Sequence, residues 1–178
     1  TYKEIERVEE ALRELSLPLH RLGKGLYNLD LSGVAPDLPW GPTVRLQDLV
    51  RLKAPDSQAA AIALPRLSWE IAPEPASVTR ADLSPWRPLF EVLTRFDRAR
   101  FATKRGEFLP SGELDVHLKF SATAHHVDGR VLQLDGKLHS GWQRLTEATE
   151  EAPATWQLDR LEWVSLSGLG AAGLLFEE

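Results

Sequence analysis

The feature that most constrains the fold is a long alternation of apolar and polar residues between Leu114 and Trp142, interrupted once at Val127-Asp128-Gly129. Successive side chains of a β-strand point to opposite faces of a sheet. The alternation therefore predicts two long antiparallel strands with one apolar face and one polar face. The apolar positions before and after the interruption are Leu114, Val116, Leu118, Phe120, Ala122, Ala124, Leu132, Leu134, Leu138 and Trp142.

The length of the turn decides how these two strands pair. A two-residue Asp128-Gly129 turn would place Leu118 opposite His139, and the two apolar rows would then lie on opposite faces. A three-residue turn, with Gly129 in the left-handed conformation, brings every apolar residue to one face. It predicts these cross-strand pairs: Leu114 with Trp142, Leu118 with Leu138, Phe120 with Gly136, Ala122 with Leu134 and Ala124 with Leu132.

Helical periodicity is found earlier in the chain. Residues 3–16 predict an amphipathic helix that ends before Pro18, and a second helix is predicted from Pro42 or Thr43 to about Lys53. A third is predicted to begin at Ser84-Pro85, an N-cap followed by proline at the first helical position. The apolar faces are Ile5, Val8, Leu12 and Leu15 in the first helix and Trp86, Leu89, Phe90, Leu93 and Phe96 in the third.

The segments between the helices are rich in proline. Prolines 36, 39 and 42 around Trp40 indicate an ordered loop, since the tryptophan supplies apolar area to hold it. Leu67, Trp69 and Ile71 alternate with polar residues and predict a short strand that the prolines at 73 and 75 end.

The last predicted strand begins near residue 155 and has a change of parity. Trp156 and Leu158 have one parity, and Leu161 and Trp163 have the other. A bulge at Asp159-Arg160 would bring both pairs to the core. The alternative is a central strand that is covered on both faces.

Together these elements predict an α+β fold in which N-terminal helices pack on a strongly curved, mainly antiparallel sheet. Residues 1–83 form a helical and irregular lead-in, 84–167 the curved-sheet core, and 168–178 a tail or linker. The glycine spacing at 168, 170 and 173 is that of a dinucleotide-binding loop, but too few residues follow for the helix and strand that such a motif requires. No cofactor is predicted.

Composition limits the classes of partner. The net charge is −5 with cations and anions interspersed, so no basic stripe is evident and nucleic acid is not expected to bind. No apolar run is long enough to span a membrane, and no cysteine is present for disulfides or thiolate sites. The absence of methionine indicates a processed product or a part of a longer chain, and the compartment, cytoplasmic or exported, stays open.

Two adjacent histidines, His125 and His126, are the residues most suggestive of chemistry. Neighbouring strand residues face opposite ways, so the two cannot chelate one ion. His126 shares the apolar parity at the hairpin end, where it is either a rim residue or a catalytic base in a pocket. On the polar face, His117 is expected one step from His139. An ordinary solvent-facing strand accounts for these residues without a metal.

The pattern resembles the nuclear transport factor 2-like (SnoaL-like, cystatin-like cone) superfamily over about residues 84–167. The segments that carry the resemblance are Phe101 to Phe108, Leu114 to Ala124, Gly129 to Trp142, and Trp156 to Leu166. It implies a curved sheet wrapped around helices into a cone with an apolar cavity. The closing Leu-Leu-Phe-Glu-Glu and the Trp-x-Leu strand are also similar to the lead-in domain of bacterial proteins with UnbV-type repeats. The superfamily's frequent Asp-His pocket pair has no recognisable counterpart here.

Three functions are compatible with these patterns. The first is a non-catalytic module that binds a small apolar ligand or an adjacent domain, with Phe120, Leu138, Trp142 and Trp156 lining the apolar face. The second is a cofactor-free isomerase or hydratase with His126 or an Asp at the cone mouth as base. The third is a homodimerisation domain that uses the open sheet face around His117, Lys119, Ser121 and Thr123.

Overall fold

The computed structural model describes residues 2–25, 40–53, 66–79, 91, 93–127 and 129–171. Within them the chain has an α+β fold with a mainly antiparallel sheet, as the sequence predicts. The helices are α1 (Tyr2–Glu14) and α2 (Ser16–Gly25), and the strands are β1 (Trp40–Lys53), β2 (Arg66–Thr79), β3 (Leu93–Phe108), β4 (Leu114–His126), β5 (Val131–Thr146) and β6 (Thr155–Ala171). No helix in these ranges is long and apolar enough to cross a membrane.

The six described strands form one sheet in the order β1-β2-β6-β5-β4-β3. Strands β3 to β6 follow one another as antiparallel neighbours. The β1–β2 pair meets the outer edge of β6 in two places: β1 runs parallel to the first half of β6, and β2 runs antiparallel to its last residues. Residues far apart in the chain, from 40 to 171, therefore belong to one sheet.

The β4–β5 hairpin has the predicted register. Phe120 lies opposite Gly136, and the other four predicted pairs are also present. Gly129 has a φ of 94°, as the three-residue turn requires. The backbone N–H of His126 donates to the carbonyl oxygen of Arg130 at 2.8 Å and closes the turn.

Strand β6 contains the predicted bulge. Leu158 pairs with Trp142 and Arg160 with Gly141, so Asp159 is the extra residue. Because the bulge reverses the parity, both apolar pairs reach the same face. The bulge thus accounts for the burial of all four side chains on one face, without a strand that is covered on both faces. These side chains are Trp156, Leu158, Leu161 and Trp163.

The helices cover the apolar face and approach β3, which is an edge strand in the described sheet. A Cβ atom on Gly23 would lie 2.5 Å from the carbonyl oxygen of Ala99, so only glycine allows α2 to come this close to β3. Exposed sheet edges are prone to pair with other chains, and this contact covers part of one. The core contains Ala11, Leu15, Leu19 and Leu22 from the helical segment together with buried residues of β3 to β6.

The first predicted helix is present as α1 and ends at Glu14, before Pro18, but a second helix that was not predicted follows it at once. The helical segment passes through Leu15 into α2, and Pro18 lies in the first turn of α2. The N–H groups of a first turn have no partner within the helix, so a proline there removes no bond. The buried face is also rotated from the predicted one, since Ile5 is 57% exposed and Ala11 is fully buried.

Two other predicted helices are contradicted. Residues 40–53 form strand β1, and Leu93 and Phe96, assigned to the third helix, are buried residues of β3. Short apolar patterns fit both periodicities, and pairing with distant strands decided the outcome. The start of that helix, Ser84 to Phe90, and the proline loop before Trp40 lie outside the described residues.

Strand β2 contains the predicted Leu67–Ile71 segment but continues to Thr79, past the prolines expected to end it. Its hydrogen-bond ladder with β1 is interrupted between Ile71 and Pro75. The prolines, which have no backbone N–H to donate, therefore lie at an irregularity of the ladder. At the other end of the sheet, β6 extends to Ala171, so the first four residues of the predicted tail belong to a strand. Residues 172–178 lie outside the described part of the chain.

Candidate functional site

The four residues predicted to bind an apolar ligand lie in the packed core. Phe120, Leu138, Trp142 and Trp156 are between 0% and 2% exposed. The indole N–H of Trp142 donates to the Ser140 hydroxyl at 2.9 Å, and that of Trp156 donates to a Glu14 carboxylate oxygen at 2.8 Å. Burial and these contacts are those of core side chains. Binding of an apolar ligand by the four residues stays a prediction.

At the hairpin end, His125 has a carboxylate partner. Its Nε2 lies 2.5 Å from Oδ2 of Asp97, and Arg95 contacts both residues. Asp97 comes from β3 and is 28 residues away in sequence, which is why the hairpin pattern alone did not show this pair. His126, the candidate base, is half-buried at the turn. Its catalytic role stays a prediction.

The polar face of the sheet carries a groove of about 970 Å³ across β3 to β6. Among the residues that the structure describes, four permanent cations line it, against the single carboxylate of Asp135. Two histidines and two serines complete its polar lining, and Ile71 of β2 lies at its border. The cations are Lys104, Arg105, Lys119 and Lys137, in a chain whose net charge is −5.

The pairing of strands β3, β4 and β5 brings these cations close together. Lys119 of β4 lies directly opposite Lys137 of β5. On β3, Thr103 pairs with Leu118 and Arg105 with His117, so Lys104 is an extra residue in a bulge. Like charges directly opposite each other destabilise a sheet. The stability of the fold therefore does not account for this arrangement, whereas a bound anion would relieve the repulsion.

His117 and His139 stack beside the lysines. They lie directly opposite each other, not one step apart as the sequence predicted, and their ring centroids are 4.0 Å apart. Nε of Arg105 donates to Nδ1 of His117 at 3.2 Å, so this nitrogen carries no proton. Nε2 of His117 faces Oδ2 of Asp115 at 3.5 Å. Burial, and then the neighbouring His117, lower the pKa of His139, which favours a neutral imidazole at neutral pH.

Arg160 contacts three carboxylates beside the groove. It donates to Asp115 at 2.7 Å and to Glu113 at 3.3 Å, and it lies 3.8 Å from Glu162. Burial disfavours the guanidinium charge, but the hydrogen bond to Asp115 and the other carboxylates outweigh it and raise the pKa of Arg160. Arg160 therefore offsets one of the three carboxylate charges beside the groove.

The basic cluster is only weakly indicated by the sequence, because its members are spread over 34 positions among carboxylates. The expectation that nucleic acid does not bind rested on the absence of a basic stripe in the sequence, and it stays a prediction. The only available signal was that lysines 119 and 137 fall on the polar row of the predicted hairpin register. Among the described residues no group of three or more His, Asp or Glu side chains is arranged to hold a metal ion.

Comparison with known proteins adds no family to these observations. No protein-family model matches the chain, and no curated protein or solved structure matches it either. The resemblance to the nuclear transport factor 2-like superfamily therefore has no independent support, and the candidate site rests on the geometry of the groove.

Proposed function

We propose that this chain is a non-catalytic binding module that binds a small anionic ligand in the groove on the polar face of β3 to β6. The observation that carries the proposal is the excess of permanent cations in the groove, four against one carboxylate, in an acidic chain. A concave surface with one sign of charge concentrates ions of the opposite sign and steers their approach.

The positions of the cations also favour binding. Lys119 and Lys137 belong to two central strands of the described sheet, so their backbones are held by ladders on both sides. Their side chains are exposed, so the two ammonium groups stay hydrated in the free protein and have little desolvation cost. Ser165 lies opposite Lys137 on β6 and offers a hydroxyl donor at the same level of the groove.

This proposal keeps the binding module expected from the sequence and changes the ligand from apolar to anionic. The apolar side chains proposed for the ligand are occupied in core packing. Dimerisation through the open face would place lysines of one copy near lysines of the other, which electrostatic repulsion opposes. The cone with an apolar cavity, and the enzyme with His126 as base, stay untested proposals.

The test is a titration with inorganic tripolyphosphate at low ionic strength, followed by calorimetry and by amide chemical shifts. A Lys119→Gln/Lys137→Gln variant should raise Kd at least about tenfold, since a hydrogen bond to a charged group contributes about 1.5–3 kcal/mol and 1.4 kcal/mol is tenfold. The matched control is Lys3→Gln/Lys24→Gln, which removes two exposed lysines of the helices.

The control should bind nearly as well as the unchanged chain, and shifts should concentrate at β4 and β5. Equal weakening in both variants would show that only overall charge matters and would contradict a site. Absence of any tripolyphosphate binding would also contradict the proposal. Light scattering on the same samples tests the dimer, which would appear as a doubled mass.

A further inference from the structure

We infer that the groove binds a compact multivalent oxyanion of the di- or triphosphate class, and that the His117–His139 pair takes up a proton when it does so. This inference rests on the proposed function, because it specifies the ligand and the regulation of the same groove. Two features carry it: the limited extent of the basic cluster and the stacking of two imidazoles beside it.

The basic cluster is short. Lys104, Lys119 and Lys137 lie on three neighbouring strands, a width of about 10 Å at the usual spacing of strands. Along the strands the cluster is bounded by Asp135 on one side and by the Asp115–Arg160 ion pair on the other. A polyanion that followed the strands would meet these carboxylates. A ligand with two or three linked oxyanion groups fits between them.

The two imidazoles differ in what they contact. His117 accepts a hydrogen bond from Arg105 and faces Asp115, so both of its ring nitrogens have neighbours. Neither ring nitrogen of His139 makes a hydrogen bond to another described residue, and the ring lines the groove. His139 is thus placed to accept a proton from solvent and to donate the resulting N–H to an oxyanion.

The charges around His139 come from each neighbouring strand. Strand β4 contributes His117, Asp115 and Lys119, and β6 contributes Arg160 and Glu162. Lys137 is on β5 itself, and Arg105 of β3 contacts the histidine pair through its hydrogen bond to His117. In the free protein, burial and the positive neighbours keep His139 neutral. A bound oxyanion adds negative charge next to the ring and raises its pKa, so binding and protonation favour each other. Affinity therefore increases as pH falls from 8 to 6.

Calorimetry with tripolyphosphate at pH 8 and pH 6, in two buffers with different ionisation enthalpies, measures the protons taken up. His139→Gln should remove most of this uptake. The ratio of wild-type to His139→Gln affinity should rise several-fold between pH 8 and pH 6, because one unit of pKa change gives its full tenfold effect only at a pH well below both pKa values. The protonation of tripolyphosphate itself is common to both proteins and cancels in the ratio. His20→Gln, an exposed histidine of α2, is the matched control and should behave as the wild type.

A second variant guards against loss of structure. His139→Lys carries a permanent charge, so it should bind tripolyphosphate at both pH values without taking up a proton at this position. Equal proton uptake by wild type and His139→Gln would overturn the inference while leaving the proposed function intact. Failure of the wild type to bind at either pH would instead overturn the proposed function. Long-chain polyphosphate, at equal phosphate concentration, should bind no more tightly than tripolyphosphate, and tighter binding would overturn the compact ligand.

Discussion

The ring of Trp163 occupies the space that a side chain at Gly136 would need. A Cβ atom added to Gly136 would lie 2.6 Å from the Trp163 ring. The same ring meets Phe120, the cross-strand partner of Gly136, edge to face with 5.4 Å between ring centroids. The glycine is therefore the position at which two aromatic side chains of different strands come together in the core.

Gly136→Ala should destabilise the protein by about 1–3 kcal/mol, because the added methyl group must displace a packed ring or the strand itself. Urea unfolding measures the loss. In a Gly136→Ala/Trp163→Leu double variant the ring contact is removed while the Ser165 carbonyl oxygen stays 2.9 Å from the added methyl group, so the combined loss should be smaller than the sum of the two single losses. Strict additivity would count against this packing.

Phe120→Ala should cost about 3–5 kcal/mol, since the ring is fully buried between Phe101 and Trp163 and its removal leaves a cavity. Denaturant unfolding is again the measurement, and the slope m should stay constant if both end states are unchanged. A loss below about 1 kcal/mol would contradict the packing seen here.

The stability of the free protein should depend on pH through His139. Its pKa is lowered in the folded state, so below the usual value of 6.5 the unfolded chain binds a proton that the folded chain does not. Stability is therefore unaffected by this group above pH 6.5 and falls as pH drops below it. Thermal unfolding between pH 7.5 and 5 should show a smaller loss in His139→Gln than in the wild type. Parallel curves would contradict the assignment.

Glu14→Gln should destabilise the contact between α1 and the sheet by about 1–3 kcal/mol. One carboxylate oxygen of Glu14 receives both the indole N–H of Trp156 and a guanidinium N–H of Arg144, at 2.8 and 3.3 Å. The amide oxygen of glutamine can still accept the indole N–H of Trp156. It carries no negative charge, so the ion pair with Arg144 is lost. Glu10→Gln on the exposed face of α1 is the matched control and should change urea unfolding little.

Lys137→Glu should separate stability from binding. It replaces a repulsive cross-strand pair with Lys119 by an attractive one, which stabilises the free protein by about 0.2–1 kcal/mol. The same change should abolish detectable binding of tripolyphosphate, because it reverses a charge in the groove. Unfolding and calorimetry on one preparation test both effects. Loss of stability would indicate that the lysine pair has a structural role instead.

The β4–β5 hairpin and the β6 bulge were predictable because their information is local. Strict alternation over many residues sets the two faces, a turn with a single suitable glycine sets the register, and a change of parity in β6 marks the bulge. The sequence was misleading at residues 40–53 and at Leu93 and Phe96, where short apolar patterns fit a helix as well as a strand.

By itself, then, the sequence determined which residues of the hairpin face the core, since alternation and turn geometry leave one register that buries all of them. Only the tertiary structure decided which residues of β3 and β6 join the polar residues of the hairpin. Lys104 enters the groove through a bulge in β3, and β1 and β2 pair with each other and join the sheet at β6, which lies more than a hundred residues beyond the start of β1. Such pairings depend on contacts between distant parts of the chain, which local periodicity does not encode.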